Sequence, residues 1–356
     1  MRELPKSGII SPDRPPLPIL PVRWGVLGAG VFTRKSILPA MKRIAHIELT
    51  AIQRQRPKEA ADTAEAFGAK RAYTSVAALL ADNSIEAVFI GTPNANHEAD
   101  VIAAAKAGKK WILCEKPLGV SAQACRNMAA ACREHGTTLF VANCFRYKYA
   151  TNKVKQMIAD GVLGEIQELS GHYAYPCEKT AQEWRYQAAI SGGGPVQDMG
   201  VHLIDLFQYI TGAKILSASA LLSPLRNFAA NTVEERARIL FEMERGIVGF
   251  IGTSFREPFH CGYKVIGSKG YVRVDGCLAQ TDMARDRIVH FDGTDRHELD
   301  ITPVSIYEEE LREMTFHLRG NGPCRLPDIA AGTFNQAIVD AIYTSAETGR
   351  RCPVQG

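Results

Sequence analysis

The chain has 356 residues, 46% of them hydrophobic, which is enough for a buried core and for two domains. A net charge of +4 and a pI near 8.5 are only mildly basic, and no Lys/Arg run interleaved with aromatics marks a nucleic-acid surface. No apolar stretch reaches the roughly 20 residues of a membrane span, and the first residues lack a secretory signal, so a cytoplasmic protein is expected.

In chain order, residues 1–21 come first and carry six prolines, which exclude helix and central strand. They read as a loose tail or as an arm laid on another surface. From Val22 to about Val141, short apolar runs ending at Leu27, Ile52, Ile90, Cys114 and Val141 alternate with helical spacing, as in Glu98–Ala107 and Ala122–Glu134. That alternation predicts βαβ units and a parallel sheet. After Phe145 the texture changes. A helix-like segment, Tyr149–Asp160, leads to strand-like runs Ile215–Leu222, Arg236–Glu242, Ile247–Phe255, Tyr263–Ile266 and Tyr271–Val274, separated by turn signals. Helices Tyr307–Leu318 and Asp328–Glu347 follow, and Gly349 supplies a stop. The nine cysteines are scattered with no Cys-x-x-Cys pair, which fits buried thiols in a reducing compartment and predicts no metal site.

Strand Trp24–Leu27 runs into Gly28-Ala29-Gly30 and then a helix over Phe32–Arg43. The first glycine permits a tight turn and the second lets backbone approach a pyrophosphate, which the helix N-terminus then faces. Thr33 replaces the third glycine. The second strand is followed by Gln53-Arg54-Gln55-Arg56 where an NAD-binding chain places a carboxylate, so Arg54 points to a 2′-phosphate and favours NADP slightly over NAD. Thr92-Pro93-Asn94, with His97 a turn later, lies at the ligand edge of the sheet.

Glu115-Lys116-Pro117 ends the next strand at that edge. Lys116 is either an ordinary surface charge or, beside a cationic nicotinamide, an amine ready to exchange a proton. Gly192-Gly193-Gly194 precedes Asp198 and His202, which four-residue spacing would place on one helix face, with Asp205 a turn further on. The pair reads as an acid–base couple, as a metal site that no further His/Cys cluster supports, or as a plain helix start.

Taken in order, these motifs, together with Trp184-Arg185, resemble the glucose–fructose oxidoreductase/inositol dehydrogenase (Gfo/Idh/MocA) family from Val22 to Arg350. The resemblance implies a Rossmann domain (22–143) followed by an α/β domain with an open, mostly antiparallel sheet (144–356), whose closing helix packs back on the first. It implies Lys116, Asp198 and His202 as catalytic. The cofactor contacts implied are Gly28, Gly30, Val31, Phe32, Arg54, Thr92, Pro93, Asn94, His97, Glu115, Lys116, Trp184 and Arg185. Asn143, Arg146 and Tyr147 would join the catalytic residues against substrate. The expected activity is NAD(P)-dependent hydride transfer on a sugar, cyclitol or related polyol by a homodimer or homotetramer. Family relatives leave two alternatives: glycoside cleavage through transient oxidation, and a non-catalytic dinucleotide-binding regulator.

Overall fold

The computed structural model describes residues 20–180, 183–276 and 286–355, so the Pro-rich arm expected over 1–21 falls almost wholly outside the described residues. Six strands form the first sheet: β1 (Val22–Leu27), β2 (Ile47–Gln53), β3 (Arg71–Tyr73), β4 (Ala87–Ile90), β5 (Trp111–Glu115) and β6 (Thr138–Ala142). All pair in parallel, in the order β3-β2-β1-β4-β5-β6. The order reverses between β1 and β4, where such sheets open a ligand crevice at their carboxyl ends. Ala87-Val88-Phe89-Ile90 is buried throughout because helices cover both faces. Between the strands run α1 (Leu38–Arg43), α2 (Pro57–Phe67), α3 (Val76–Leu80), α4 (His97–Lys106) and α5 (Ala122–Glu134). The helix expected over Phe32–Arg43 forms, but its first part, Thr33–Ile37, is a π-helical turn.

After α6 (Tyr149–Ala159) comes the second sheet: β7 (Ile166–Ala174), β8 (Ile215–Ser223), β9 (Arg236–Met243), β10 (Val248–Ser254), β11 (His260–Gly267), β12 (Gly270–Asp275), β13 (Arg287–Phe291), β14 (Arg296–Leu299) and β15 (Cys352–Pro353). Its order is β14-β13-β12-β11-β7-β10-β9-β8-β15, antiparallel except for the β7–β10 pair. The helices of this half are α7 (Ala188–Ser191), α8 (Val201–Thr211), α9 (Ile306–Leu318) and α10 (Ile329–Thr348). One sheet face packs on α8 through Leu203 and Phe207, so tightly that a Cβ on Gly171 would sit 2.8 Å from Leu203. The other face is open and carries exposed Leu221, Leu240 and Val248.

The halves are interleaved. α10 packs on α5 and β6, the Ala122 amide donates to Asp340 at 2.8 Å, and Phe140 bridges Asp328. One apolar core runs from Val22 and Phe89 through Phe145 and Leu203 to Val272.

Candidate active site

β1 turns at Gly28, whose φ of +75° and a Thr92 amide only 2.7 Å from any added Cβ exclude other residues. Gly30 meets no such wall: its Cβ would find only the Gly28 carbonyl, at 3.9 Å. The protein leaves that space open toward a cleft of about 1370 Å³ lined by Gly30, Val31, Phe32, Thr92, Pro93, Trp184 and Arg185. Lys35, Arg43 and Lys148 line it beside the acids Glu183 and Asp286, with Lys148 paired to Asp286 at 3.6 Å and Arg43 to Glu308, and the segment Ile301–Tyr307 completes the lining. Volume, bare glycine and cations suit a dinucleotide pyrophosphate. Thr33 serves at the third fingerprint position by donating to the Gly28 carbonyl at 3.0 Å.

Several residues expected to touch cofactor also make bonds within the protein. His97 is fully buried; Nδ1 lies 3.0 Å from the Pro117 carbonyl and Nε2 2.9 Å from the Thr92 carbonyl. A neutral ring donates to only one of these two carbonyls and packs against the other, so His97 sits between two loops at the sheet edge; burial lowers its pKa. The Asn94 amide donates to the Ser191 carbonyl at 2.9 Å, spanning the two halves. Gln53 supplies Oε1 to the Gly28 amide at 3.3 Å. Arg54 is committed to Glu59 and Thr63, and the more exposed Arg56 also reaches Glu59, so neither guanidinium stands free for a 2′-phosphate.

Lys116, ahead of a cis Pro117, crosses to the second half. Its Nζ donates to the Asp198 carbonyl at 2.7 Å and to Oδ1 at 3.2 Å. Tyr175, just past β7, donates its hydroxyl to Asp198 Oδ2 at 2.6 Å, with Arg185 Nε 3.6 Å from the same oxygen. Burial alone would raise the Asp198 carboxyl; the Lys116 and Arg185 charges and the Tyr175 hydrogen bond hold it well below the usual carboxylate range.

His202 behaves differently from the expected helix-face partner of Asp198. Asp198 lies in a π turn, Val196–Gly200, and His202 in α8. The wider turn breaks the i,i+4 register. No Asp198–His202 hydrogen bond forms, and among the described residues both ring nitrogens are buried without a partner. The ring packs on Phe145, centroids 4.3 Å apart. Burial, reinforced by the Lys116 ammonium and only partly offset by Asp198, holds the imidazole neutral. Buried unpaired ring nitrogens are costly in isolation. They fit a place where a substrate hydroxyl arrives.

The residues expected around substrate separate. Among the described residues the buried Asn143 Oδ1 has no partner. Arg146 instead grips Asp205 through two bonds of 2.7 and 2.6 Å, and Asn335 donates to the same carboxylate at 3.0 Å. Tyr147 donates to Glu313 at 2.9 Å. Asp205, Arg146 and Tyr147 therefore buttress the site from behind. Tyr175 and the Ile301–Tyr307 wall were missed from sequence, because nothing in their local pattern distinguishes them from strand-end and loop residues. Among the described residues no group of three or more His, Cys, Asp or Glu could hold a metal.

The Gly192–Gly194 loop delivers Asp198. A Cβ on Gly193 would collide with the Tyr343 hydroxyl, and one on Gly194 with the Glu234 carbonyl. Glu234 is itself buried, accepting from the Val196 amide at 3.1 Å and from Tyr343 at 3.0 Å.

Comparison with known proteins places this geometry in context. Residues 22–143 match a family model described as "Oxidoreductase family, NAD-binding Rossmann fold", and residues 151–273 match the GFO/IDH/MocA C-terminal domain. A 1,5-anhydro-D-fructose reductase of Ensifer adhaerens is 25% identical over 94% of this chain and 98% of its own. A D-xylose 1-dehydrogenase (NADP(+)) of Haloferax volcanii is 28% identical over 92% and 98%. The aldose-aldose oxidoreductase of Caulobacter crescentus, crystallised with glycerol, superposes with a TM-score of 0.84 at 22% identity, over 94% of this chain and 99% of that one.

Proposed function

The chain belongs to the GFO/IDH/MocA family of NAD(P)-dependent oxidoreductases, and from that premise we propose that it oxidises or reduces a sugar or related polyol at a single carbinol carbon, with Lys116, Asp198 and His202 as its proton-handling residues. The carrying observation is the contact of Lys116 with Asp198 across the two halves, beside a histidine whose nitrogens are both free. Bound in the cleft, NAD(P) would supply the hydride acceptor or donor. Gly30, Thr92 and the Phe32 wall are placed to hold it.

In the oxidative direction the substrate loses a hydride from carbon and a proton from oxygen, leaving a carbonyl. His202, kept neutral, takes the proton. Lys116, fixed by Asp198, hydrogen-bonds the reacting oxygen and stabilises the negative charge that grows there as the proton leaves. Asp198 is too fully engaged to orient His202; it orients Lys116. Holding the donor Lys116 and the acceptor His202 in place before substrate arrives supplies orientation. Trp184 and Arg185, whose guanidinium stacks 4.9 Å over the indole, both line the cleft and would give a sugar an apolar and a polar surface.

The assay is a panel of aldoses, anhydrosugars and cyclitols with NAD or NADP, read by reduced-cofactor absorbance. No turnover with any CH–OH substrate, despite tight cofactor binding, would overturn the reading. Substrate cleavage without net cofactor reduction would replace it with the transient-oxidation chemistry. The open sheet face, with Leu221, Leu240 and Val248 exposed, supports self-association, testable by light scattering. No helix of the described residues is long and apolar enough to cross a membrane, and a cytoplasmic setting is part of the same proposal.

A further inference from the structure

The helix that carries Asp198 and His202 is anchored at its start by side chains that lie outside the cleft. From Pro195 the backbone winds through the π turn Val196–Gly200 and on into α8 without leaving helical angles. A helix start leaves its first amides without intrahelical partners. The Asp198 amide donates to the Gly194 carbonyl at 3.0 Å. The Val196 amide donates to Glu234 Oε1 at 3.1 Å, a carboxylate brought in from the segment ahead of β9. Glu234 is fully buried, and the same oxygen accepts from the Tyr343 hydroxyl of α10 at 3.0 Å. The Arg226 guanidinium lies 3.5 Å over the Tyr343 ring and donates to the Gly192 carbonyl at 2.8 Å. On the other side, Gln197 Nε2 donates at 3.3 Å to the Val120 carbonyl, in the loop that follows Lys116. None of Arg226, Glu234 and Tyr343 lines the cleft.

A buried carboxylate is a costly way to fill space. Here it meets the positive end of a helix and bonds an amide that an apolar side chain would leave buried and unpaired. The winding it anchors is itself unusual. A π turn is rare, and its register needs support from outside the helix. Tightened into an α-helix, the same stretch would turn Asp198 toward the face of His202, four residues on. In the π winding Asp198 meets Lys116 instead, at 3.2 Å through Oδ1.

We propose that Glu234 is a positioning residue, which by fixing the Val196 amide holds the π winding that directs Asp198 to Lys116 and keeps it off His202. This rests on the proton-handling roles of Asp198 and His202 proposed above. Glu234 acts only through the turn, and it is the accepting oxygen, with Tyr343 fixing its direction, that does so.

Two substitutions test this. Glu234→Met keeps the bulk and removes the acceptor, whereas Glu234→Gln keeps an accepting oxygen. Each is read by kcat, by cofactor Kd from fluorescence titration, and by NMR of histidine-labelled protein, the His202 signal being assigned by its loss in His202→Ala. Glu234→Met should lower kcat about 10- to 100-fold, with cofactor Kd within about threefold, because the reacting groups are misaligned and the dinucleotide cleft is untouched. It should also displace the His202 signal and leave that of His97 in place. Glu234→Gln should retain most of the turnover that Glu234→Met loses. If Glu234→Met does not fold, Tyr343→Phe replaces it, with a kcat loss of about three- to tenfold expected from a carboxylate freed to turn, and the same displaced signal. The signal reads the anchor whether or not a substrate has been found. An unmoved His202 signal would overturn the positioning role, as would a Gln variant as impaired as the Met variant. A displaced signal with wild-type kcat would instead overturn the roles of Asp198 and His202, and the positioning role with them.

Discussion

Tyr175 and Asp198 share a hydrogen bond of 2.6 Å, the phenol donating to the carboxylate oxygen that Lys116 leaves free. Asp198 is thus held on both oxygens, and its direction sets where the Lys116 ammonium points. Tyr175→Phe should lower kcat about tenfold with little change in cofactor Kd, a loss typical of one positioned hydrogen bond to a charged group. A wild-type kcat in this variant would show that Lys116 and Arg185 fix Asp198 unaided.

Lys116→Met and His202→Ala should each reduce turnover by about 10²- to 10⁴-fold while dinucleotide binding persists. Stopped-flow absorbance under single-turnover conditions separates the chemical step from release. Unimpaired hydride transfer in both variants would remove them from the proton path.

His202 and His97 are both buried, and burial lowers both pKa values. Each is neutral when folded and binds a proton on unfolding below its ordinary value near 6.5. Their stabilisation is therefore complete above that pH and is lost progressively as pH falls toward their depressed folded values. The slope is up to about 1.4 kcal/mol per pH unit for each. His202→Phe should flatten the decline of urea-unfolding free energy between pH 6.5 and 5. An unchanged slope would contradict the neutral burial of this ring.

Arg54 and Arg56 both converge on Glu59, so a 2′-phosphate would have to compete with that carboxylate. Glu59→Gln should tighten NADPH binding several-fold and leave NADH unchanged, one weakened surface pair being worth up to about 1 kcal/mol. Equal changes for the two cofactors, by fluorescence titration, would remove the arginines from cofactor choice.

The parallel sheet, its ligand edge and the position of Lys116 were legible in the sequence because apolar runs alternating with helical spacing leave few topologies. In the antiparallel half β8 to β12 were legible from sequence, whereas β7, β13, β14 and the two-residue β15 were not given as strands. Arg287–Phe291 and Arg296–Leu299 are short and largely charged or partly exposed, and their pairing is set by β12 rather than by an apolar pattern. At the site, Lys116 and Asp198 do meet, but through a π turn that no side-chain spacing announces. His97, Asn94 and Arg146 illustrate the harder case. A polar residue at a ligand edge looks the same in sequence whether it faces ligand or another backbone, and here all three hold parts of the protein together.

The Gly192–Gly194 loop acts as a spacer one backbone thick. It is squeezed between the Tyr343 hydroxyl on α10 and the Glu234 carbonyl, and α10 also docks on the first half through α5. A single methyl group at Gly193 would work like a shim under that helix. The misalignment would reach Asp198 within five residues and also tilt the surface against which the dinucleotide half is seated, so alignment should fail before the fold does.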